Sequence, residues 1–319
     1  MKISLTKKET TLLPIASADG ELWYSVSDIV PETPLGGIVE ILEFHKTHPG
    51  VIYDRLSSKI GSLTPIDMSS VECVLPFRPL SYRDFMLYEQ HYIAASRGFV
   101  KKYLPRLMPL IVIYEKVTGK PFPKLKPKKL WYSHPIYYLG NHLTFVTNGD
   151  SIPIPSYTRQ LDYELELGAI LCNPLKNASP EEAEKAIGGF VVFNDFSARD
   201  VQLDEMNSGF GPMKAKNFAN SISNVVVSAD EILPIIDRLR VRVEINGETV
   251  VESDTGGMHH SLPEAIAYAS WEEQLYPGEF FATGTVPGCT GMENGRFLNS
   301  GDSIRLEIEG VGVLENSVD

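Results

Sequence analysis

Asp162-Tyr163-Glu164-Leu165-Glu166-Leu167, read together with Phe193-Asn194-Asp195-Phe196-Ser197-Ala198-Arg199-Asp200 further along, decides how this chain is understood. Glu164 and Glu166 stand two apart among apolar residues. In an extended strand they project to one side, roughly 6 to 7 Å apart. Asp195 closes a second apolar run, Gly189-Phe190-Val191-Val192-Phe193, where a buried carboxylate is costly unless paired or coordinated. An isolated Glu-x-Glu is also what a solvated strand face looks like, so the company of Asp195 is what gives the pair meaning. Carboxylates without accompanying Cys or His suit a hard cation, Mg²⁺, Mn²⁺ or Ca²⁺, rather than zinc. The pattern predicts a metal enzyme.

The chain has 319 residues and a formal charge of −12. That length holds one large domain or a large and a small one. An acidic balance argues against nucleic acid or an anionic membrane as the main partner, leaving small molecules. Cys73, Cys172 and Cys289 are few, odd in number and far apart. They offer neither a disulfide framework nor metal-ligand spacing, which fits a reducing cytosol. The first eleven residues lack the apolar core of a signal peptide, and no apolar run approaches a bilayer span. A soluble, cytoplasmic protein is expected.

Residues 1 to about 72 read as a small mixed module with a helix around Gly37 to His45. Tyr82 to Ala95 is free of Gly and Pro and reads as a helix ending near Gly98. Residues 101 to 130 are rich in Lys and Pro, with Glu115 the one acid. They read as a mobile surface connector, or as a lid that attracts an anionic substrate. From Tyr132 onward, short β-branched and aromatic runs between turn residues predict a rolled sheet or sandwich. Helices are predicted at Pro180 to Ile187, with Ser179 as N-cap, and at Ser261 to Tyr268. Gly301 to Gly312 alternates as a half-buried strand. No repeat, low-complexity tract or phosphate-binding glycine loop is present, so no nucleotide cofactor is expected.

Several residues are candidates for chemistry, each with a plainer alternative. Arg199 and Gln202 share a helical or turn face. Arg199 can clamp a carboxylate or simply pair with Asp200 or Asp195. Asp84 and His91 lie seven residues apart, about 10 Å along one face of a regular helix. On its own, His91 reads as a packed or surface residue and Lys216 as a solvated one. His259-His260 reads as a loop feature. The turn Thr283 to Gly288 has small residues that let backbone N–H groups approach an anion.

Taken jointly, these segments resemble the fumarylacetoacetate hydrolase family. The resemblance rests on Arg83-Asp84-Phe85 with His91 seven residues after Asp84, then Leu161 to Glu166 and Phe193 to Gln202. It continues with Lys216-Asn217-Phe218, the turn Ala282 to Gly288 and the final run Glu309 to Asn316, and it covers about Tyr82 to Val318. It implies an α+β, predominantly β fold: a mixed β-sandwich or roll catalytic domain at 76–319 and a small N-terminal α/β module at 1–75.

By the same resemblance Glu164, Glu166 and Asp195 match metal-binding carboxylates, and Asp84 a further ligand. His91 matches the general base, with Glu293 as its partner and Lys216 as a lysine near the reacting carbonyl. Arg199, Gln202, Tyr138 and Thr285 match positions that hold the substrate's polar ends. Ala94 departs from the shorter members, which carry a Glu there, and Asn220 stands where a threonine is found. The implied activity is Mg²⁺-dependent hydrolysis of a carbon–carbon bond in an acylpyruvate or fumarylacetoacetate-type acid by a homodimer. Oxaloacetate decarboxylation, 2-hydroxydienoate isomerisation and catalytically idle metal binding are the alternatives.

Overall fold

The computed structural model describes residues 1–59 and 61–319. Its sheet-rich α+β architecture is organised by two strands, Leu165–Leu171 and Ile187–Asn194, every residue of which is buried. They pair antiparallel, with Glu166 opposite Phe193 and Leu165 opposite Asn194. Burial on both faces explains why they read as near-continuous apolar runs. Around them the main sheet runs in the order Tyr24–Ser25, Thr11–Ser17, Lys2–Lys8, Val225–Ser228, Ile187–Asn194, Leu165–Leu171, Phe280–Ala282, Tyr82–Phe85, Tyr137–Leu139. A second sheet of five strands includes Arg240–Ile245, Ser303–Ile308 and Gly312–Val318. Burial alternates along the first two of these, as a half-buried sheet requires.

The N-terminal segment joins the main sheet directly, because Lys2–Lys8 pairs antiparallel with Val225–Ser228. Helix Ile38–Thr47 buries Ile38, Ile41, Leu42 and His45 on it. This is the helix expected around Gly37 to His45. Helices Pro180–Ala186 and Leu262–Ala269 are each closed by a reciprocal capping box, from Ser179 with Glu182 and Ser261 with Glu264. Among the described residues no helix is long and apolar enough to cross a membrane.

The expected helix from Tyr82 to Ala95 is corrected. Tyr82–Phe85 is a strand lying parallel to Phe280–Ala282, with Asp84 opposite Ala282, and the helix runs instead over Glu89–Tyr103. Sheet pairing with a distant partner overrides the local pattern here. Asp84 and His91 therefore do not share a helical face. Gly98 does not stop the helix either: a Cβ there would lie 1.9 Å from the Met292 carbonyl oxygen, so the glycine permits a close backbone crossing. The Lys- and Pro-rich segment holds a further helix, Met108–Thr118, ended by Gly119 at φ 65°.

All three cysteines are free. Burial pushes the Cys172 thiol up to about 11, and burial with the nearby Glu293 carboxylate raises Cys289 further. Burial raises the thiol of the partly exposed Cys73 as well. Iodoacetamide applied to the native protein at about pH 8 is expected to modify Cys73 slowly and to spare the other two until denaturant is added. Equal labelling of all three by peptide mass would contradict the buried placement.

Candidate active site

Three carboxylates meet where strand ends converge. Asp84 comes from Tyr82–Phe85, Glu166 from Leu165–Leu171, and Asp195 directly follows Ile187–Asn194. One oxygen from each lies within 4.8 Å of the others, and all three residues are buried. The turn starting at Thr283 supports Glu166, whose carboxylate accepts from the Gly284 N–H at 2.9 Å and faces Thr285 Oγ1 at 3.5 Å. Gly284 is required for that approach. Its φ is 81°, and a Cβ would sit 2.4 Å from the Phe85 carbonyl oxygen. Tyr82 donates to Asp84 Oδ2 at 3.2 Å, and Tyr138 donates to Asp195 Oδ2 at 2.7 Å.

Charge accounting at this cluster is lopsided. Of the two buried cations nearby, Arg199 bonds Asp162 and Glu164, outside the cluster, and Lys216 bonds Glu164 and only one of the three, Asp195. Among the described residues the hydrogen-bond donors to Asp84 and Glu166 are neutral. Asp84 Oδ1 is buried and receives no hydrogen bond from any described residue. Burial, reinforced by Asp195, drives the Asp84 carboxyl well above its ordinary range, and burial with Asp84 and Asp195 does the same to Glu166. An orphaned buried oxygen within an oxygen-only, negatively charged cage fits a hard divalent cation.

Glu164 has a different setting. Burial alone would raise its carboxyl, but Arg199, Lys216 and His91 outweigh burial and hold it well below the usual range. Burial would likewise lower the Lys216 ammonium, yet Asp195 and Glu164 raise it above the ordinary lysine value. Lys216 is thus a fixed positive charge and cannot serve as a base near neutral pH. The suggested pairing of Arg199 with Asp200 or Asp195 is corrected. Its Nε donates to Asp162 at 2.7 Å, and its Nη2 donates to Glu164 at 2.6 Å and to Thr290 at 2.9 Å. Nη1 donates to Gln202 at 2.8 Å, along the expected face of helix Arg199–Asn207. Asp200 turns away to Thr158 and the Arg159 N–H. Asn220 lies buried alongside, 3.3 Å from Asp195 once its amide is oriented to donate.

His91 faces this group from helix Glu89–Tyr103. Its Nδ1 lies 2.5 Å from Glu293 Oε1, and its Nε2 lies 3.9 Å from Glu164 Oε1. Glu293 is held in turn by the Gly288 N–H at 2.9 Å. An ionised Glu293 can only accept, so in the neutral imidazole the proton sits on Nδ1 and the Nε2 lone pair points toward Glu164. The dyad spans two helices, Glu89–Tyr103 and Gly291–Asn294, that approach closely at Gly98. Gly98→Ala is therefore expected to cost about 1–3 kcal/mol of stability by overpacking and to lower activity by separating His91 from Glu293. A melting curve and a rate assay check both, and an unperturbed variant would contradict the tight crossing.

Two contributors escaped the sequence reading. Tyr82, buried among Phe145, Phe193 and Phe280, contacts both Asp84 and the Tyr138 hydroxyl. Asp162, wholly buried, accepts from Arg199, Thr290 and three backbone N–H groups. Its signal was present in the period-two alternation Asp162, Glu164, Glu166. His259 stacks on Trp131 and meets Tyr132 edge-on, while His260 packs against Trp131 at a tilt.

Comparison with known proteins gives this geometry a context. The family described as fumarylacetoacetate (FAA) hydrolase C-terminal matches residues 117–319. An uncharacterised protein of Methanocaldococcus jannaschii is 31% identical over 187 residues, 58% of this chain and 73% of that one. The human mitochondrial oxaloacetate tautomerase FAHD1 is 30% identical over 169 residues, 53% of this chain and 76% of its own. Among solved structures, a fumarylacetoacetate hydrolase from Exiguobacterium antarcticum superposes with a TM-score of 0.72 at 21% identity. That match covers 100% of this chain and 99% of the other, and it speaks to the fold.

Proposed function

The chain belongs to the fumarylacetoacetate hydrolase family, and from that premise we propose that it hydrolyses a carbon–carbon bond in an acylpyruvate or fumarylacetoacetate-type β-diketo acid with the help of a divalent cation. The observation that carries this reading is the His91–Glu293 dyad set against the buried carboxylates, with the His91 Nε2 lone pair on their side.

Asp84, Glu166 and Asp195, with Glu164 beside them, would hold Mg²⁺, or Mn²⁺ or Ca²⁺ in its place. When bound, such a cation supplies Lewis-acid stabilisation of the negative charge on an enolate. His91 Nε2 takes a proton from water, which attacks the carbonyl of the acyl group. The imidazolium so formed lies between two carboxylates, Glu293 at Nδ1 and Glu164 at Nε2, and this favours the transfer. As the carbon–carbon bond breaks, its electron pair stays with the pyruvate fragment. His91 then returns the proton to that fragment's carbon. Lys216, held cationic by Asp195 and Glu164, stabilises the oxyanion. Gln202, Tyr138 and Thr285 receive the substrate's polar ends, and Arg199 fixes Gln202 through their 2.8 Å bond. A homodimer in the cytoplasm is part of this reading.

A second reading is supported by the relatives' printed names, several of which are oxaloacetate tautomerases. Here His91 Nε2 would move a proton between carbon and oxygen of an enolisable keto acid, with no water attacked; the related decarboxylation would release CO₂. Ultraviolet assays with acylpyruvates and with oxaloacetate, with and without Mg²⁺ and after EDTA, separate these outcomes. Cation-dependent loss of diketone absorbance with release of a carboxylic acid is expected. Enol decay of oxaloacetate without any diketone cleavage would favour the second reading and reject the first.

A further inference from the structure

We propose that Asp162 is the positioning residue that locks both neighbours of His91 into place, through the Gly291–Asn294 helix on one side and Arg199 on the other. The assignment rests on the reading of His91–Glu293 as the base and its partner.

Glu293 depends on outside contacts for its position. It sits on a four-residue helix, Gly291–Asn294, too short to be stable on its own contacts. Asp162 supplies what that helix lacks. Its Oδ1 accepts from the Gly291 N–H at 2.7 Å, and its Oδ2 accepts from the Met292 N–H at 3.0 Å and the Thr290 hydroxyl at 2.7 Å. A Cβ on Gly291 would lie 2.5 Å from Asp162 Oδ1, so glycine is needed for this approach.

The same carboxylate reaches the other side of the histidine. Arg199 Nε donates to Asp162 Oδ2 at 2.7 Å, and Arg199 Nη2 donates to Glu164 Oε1 at 2.6 Å. That Glu164 oxygen is the one 3.9 Å from His91 Nε2. Asp162 thus joins the partner on Nδ1 to the partner on Nε2 through one wholly buried group. Arg199, with its donors spent on Asp162, Glu164, Thr290 and Gln202, belongs to this tie more than to a substrate clamp. An asparagine at 162 keeps the shape and can still accept, but it loses the charge that pairs with the guanidinium and meets one of the donors with its NH₂.

The test compares wild type, Asp162→Asn and the milder Thr290→Val, each measured with Mn²⁺ binding, steady-state kinetics and ¹H–¹⁵N NMR of labelled histidine. A short Nδ1–H bond to a carboxylate gives a strongly downfield proton signal, which reports His91–Glu293 without reference to turnover. Asp162→Asn is expected to lose or broaden that signal and to lower kcat by about tenfold to a hundredfold, while KM and Mn²⁺ affinity stay within about threefold. Thr290→Val, which removes a hydroxyl bonded to both Asp162 and Arg199, should move the same readouts less far. A folded Asp162→Asn with the signal and kcat intact, or with only its melting temperature or KM changed, would overturn the proposal. Should Asp162→Asn fail to fold, Thr290→Val with an undiminished signal and rate would overturn it equally. If wild type turns over no keto acid yet its signal vanishes in Asp162→Asn, the functional reading fails and the positioning assignment holds.

Discussion

His91→Ala is expected to lower kcat by on the order of 10²- to 10⁴-fold, the usual contribution of a positioned general base, while the protein still binds Mn²⁺ with near wild-type affinity. The reason lies in the geometry. The imidazole lies beside Glu164 but is not among the three carboxylates that meet, Asp84, Glu166 and Asp195. Its removal takes away the proton acceptor without touching the oxygen cage. Glu293→Gln should follow at smaller cost, because the amide still contacts Nδ1 but no longer offsets the imidazolium charge. Steady-state rates alongside Mn²⁺ titration decide the matter. Near wild-type kcat in His91→Ala would reject its role as base.

Glu166→Gln is expected to weaken divalent-cation affinity by more than about a hundredfold, since losing even an outer partner of a metal ligand costs about 10- to 100-fold. In the cation-free protein the same substitution should be neutral or stabilising. The Glu166 and Asp84 carboxyls are raised by burial first and by neighbouring acids second, from ordinary values of 4.5 and 3.8. A carboxyl raised on folding contributes stability that is present in full below its ordinary value and is lost as pH climbs through its elevated one. After EDTA treatment the melting temperature should therefore fall as pH rises above the ordinary carboxylate range, and saturating Mg²⁺ should reverse the fall. Glu166→Gln should flatten that dependence. A chelated wild type whose melting temperature instead rises with pH above that range would contradict the charge imbalance.

Much of the fold was legible because its signals are local. Ser179 and Ser261 announce their helices by capping, and the apolar runs around Ile170 and Val191 announce strands buried on both faces. Tyr82–Phe85 was not legible. It has no breaker, and its extended state comes from pairing with Phe280–Ala282, nearly two hundred residues away in sequence. Gly98 misled for a related reason, since its value lies in a contact with Met292 that local pattern cannot show.

The site divides in the same way. Glu164, Glu166 and Asp195 could be argued from spacing and from the cost of a buried charge. Glu293 rested on family resemblance alone, and nothing in its surroundings Gly291-Met292-Glu293-Asn294 marks it as the residue found against His91. The split between Glu164, neutralised by Arg199 and Lys216, and Glu166, which has neutral donors, depends on which cations arrive from elsewhere. Two identical side chains two residues apart take different electrostatic roles for that reason.

Asp84, Glu166 and Asp195 are expected to enclose one divalent cation in front of His91. Anomalous diffraction from a crystal grown with Mn²⁺ tests it most directly. A single strong peak bounded by those three carboxylates, absent in Glu166→Gln, is the expected result; no peak there, or manganese bound elsewhere, would contradict the account.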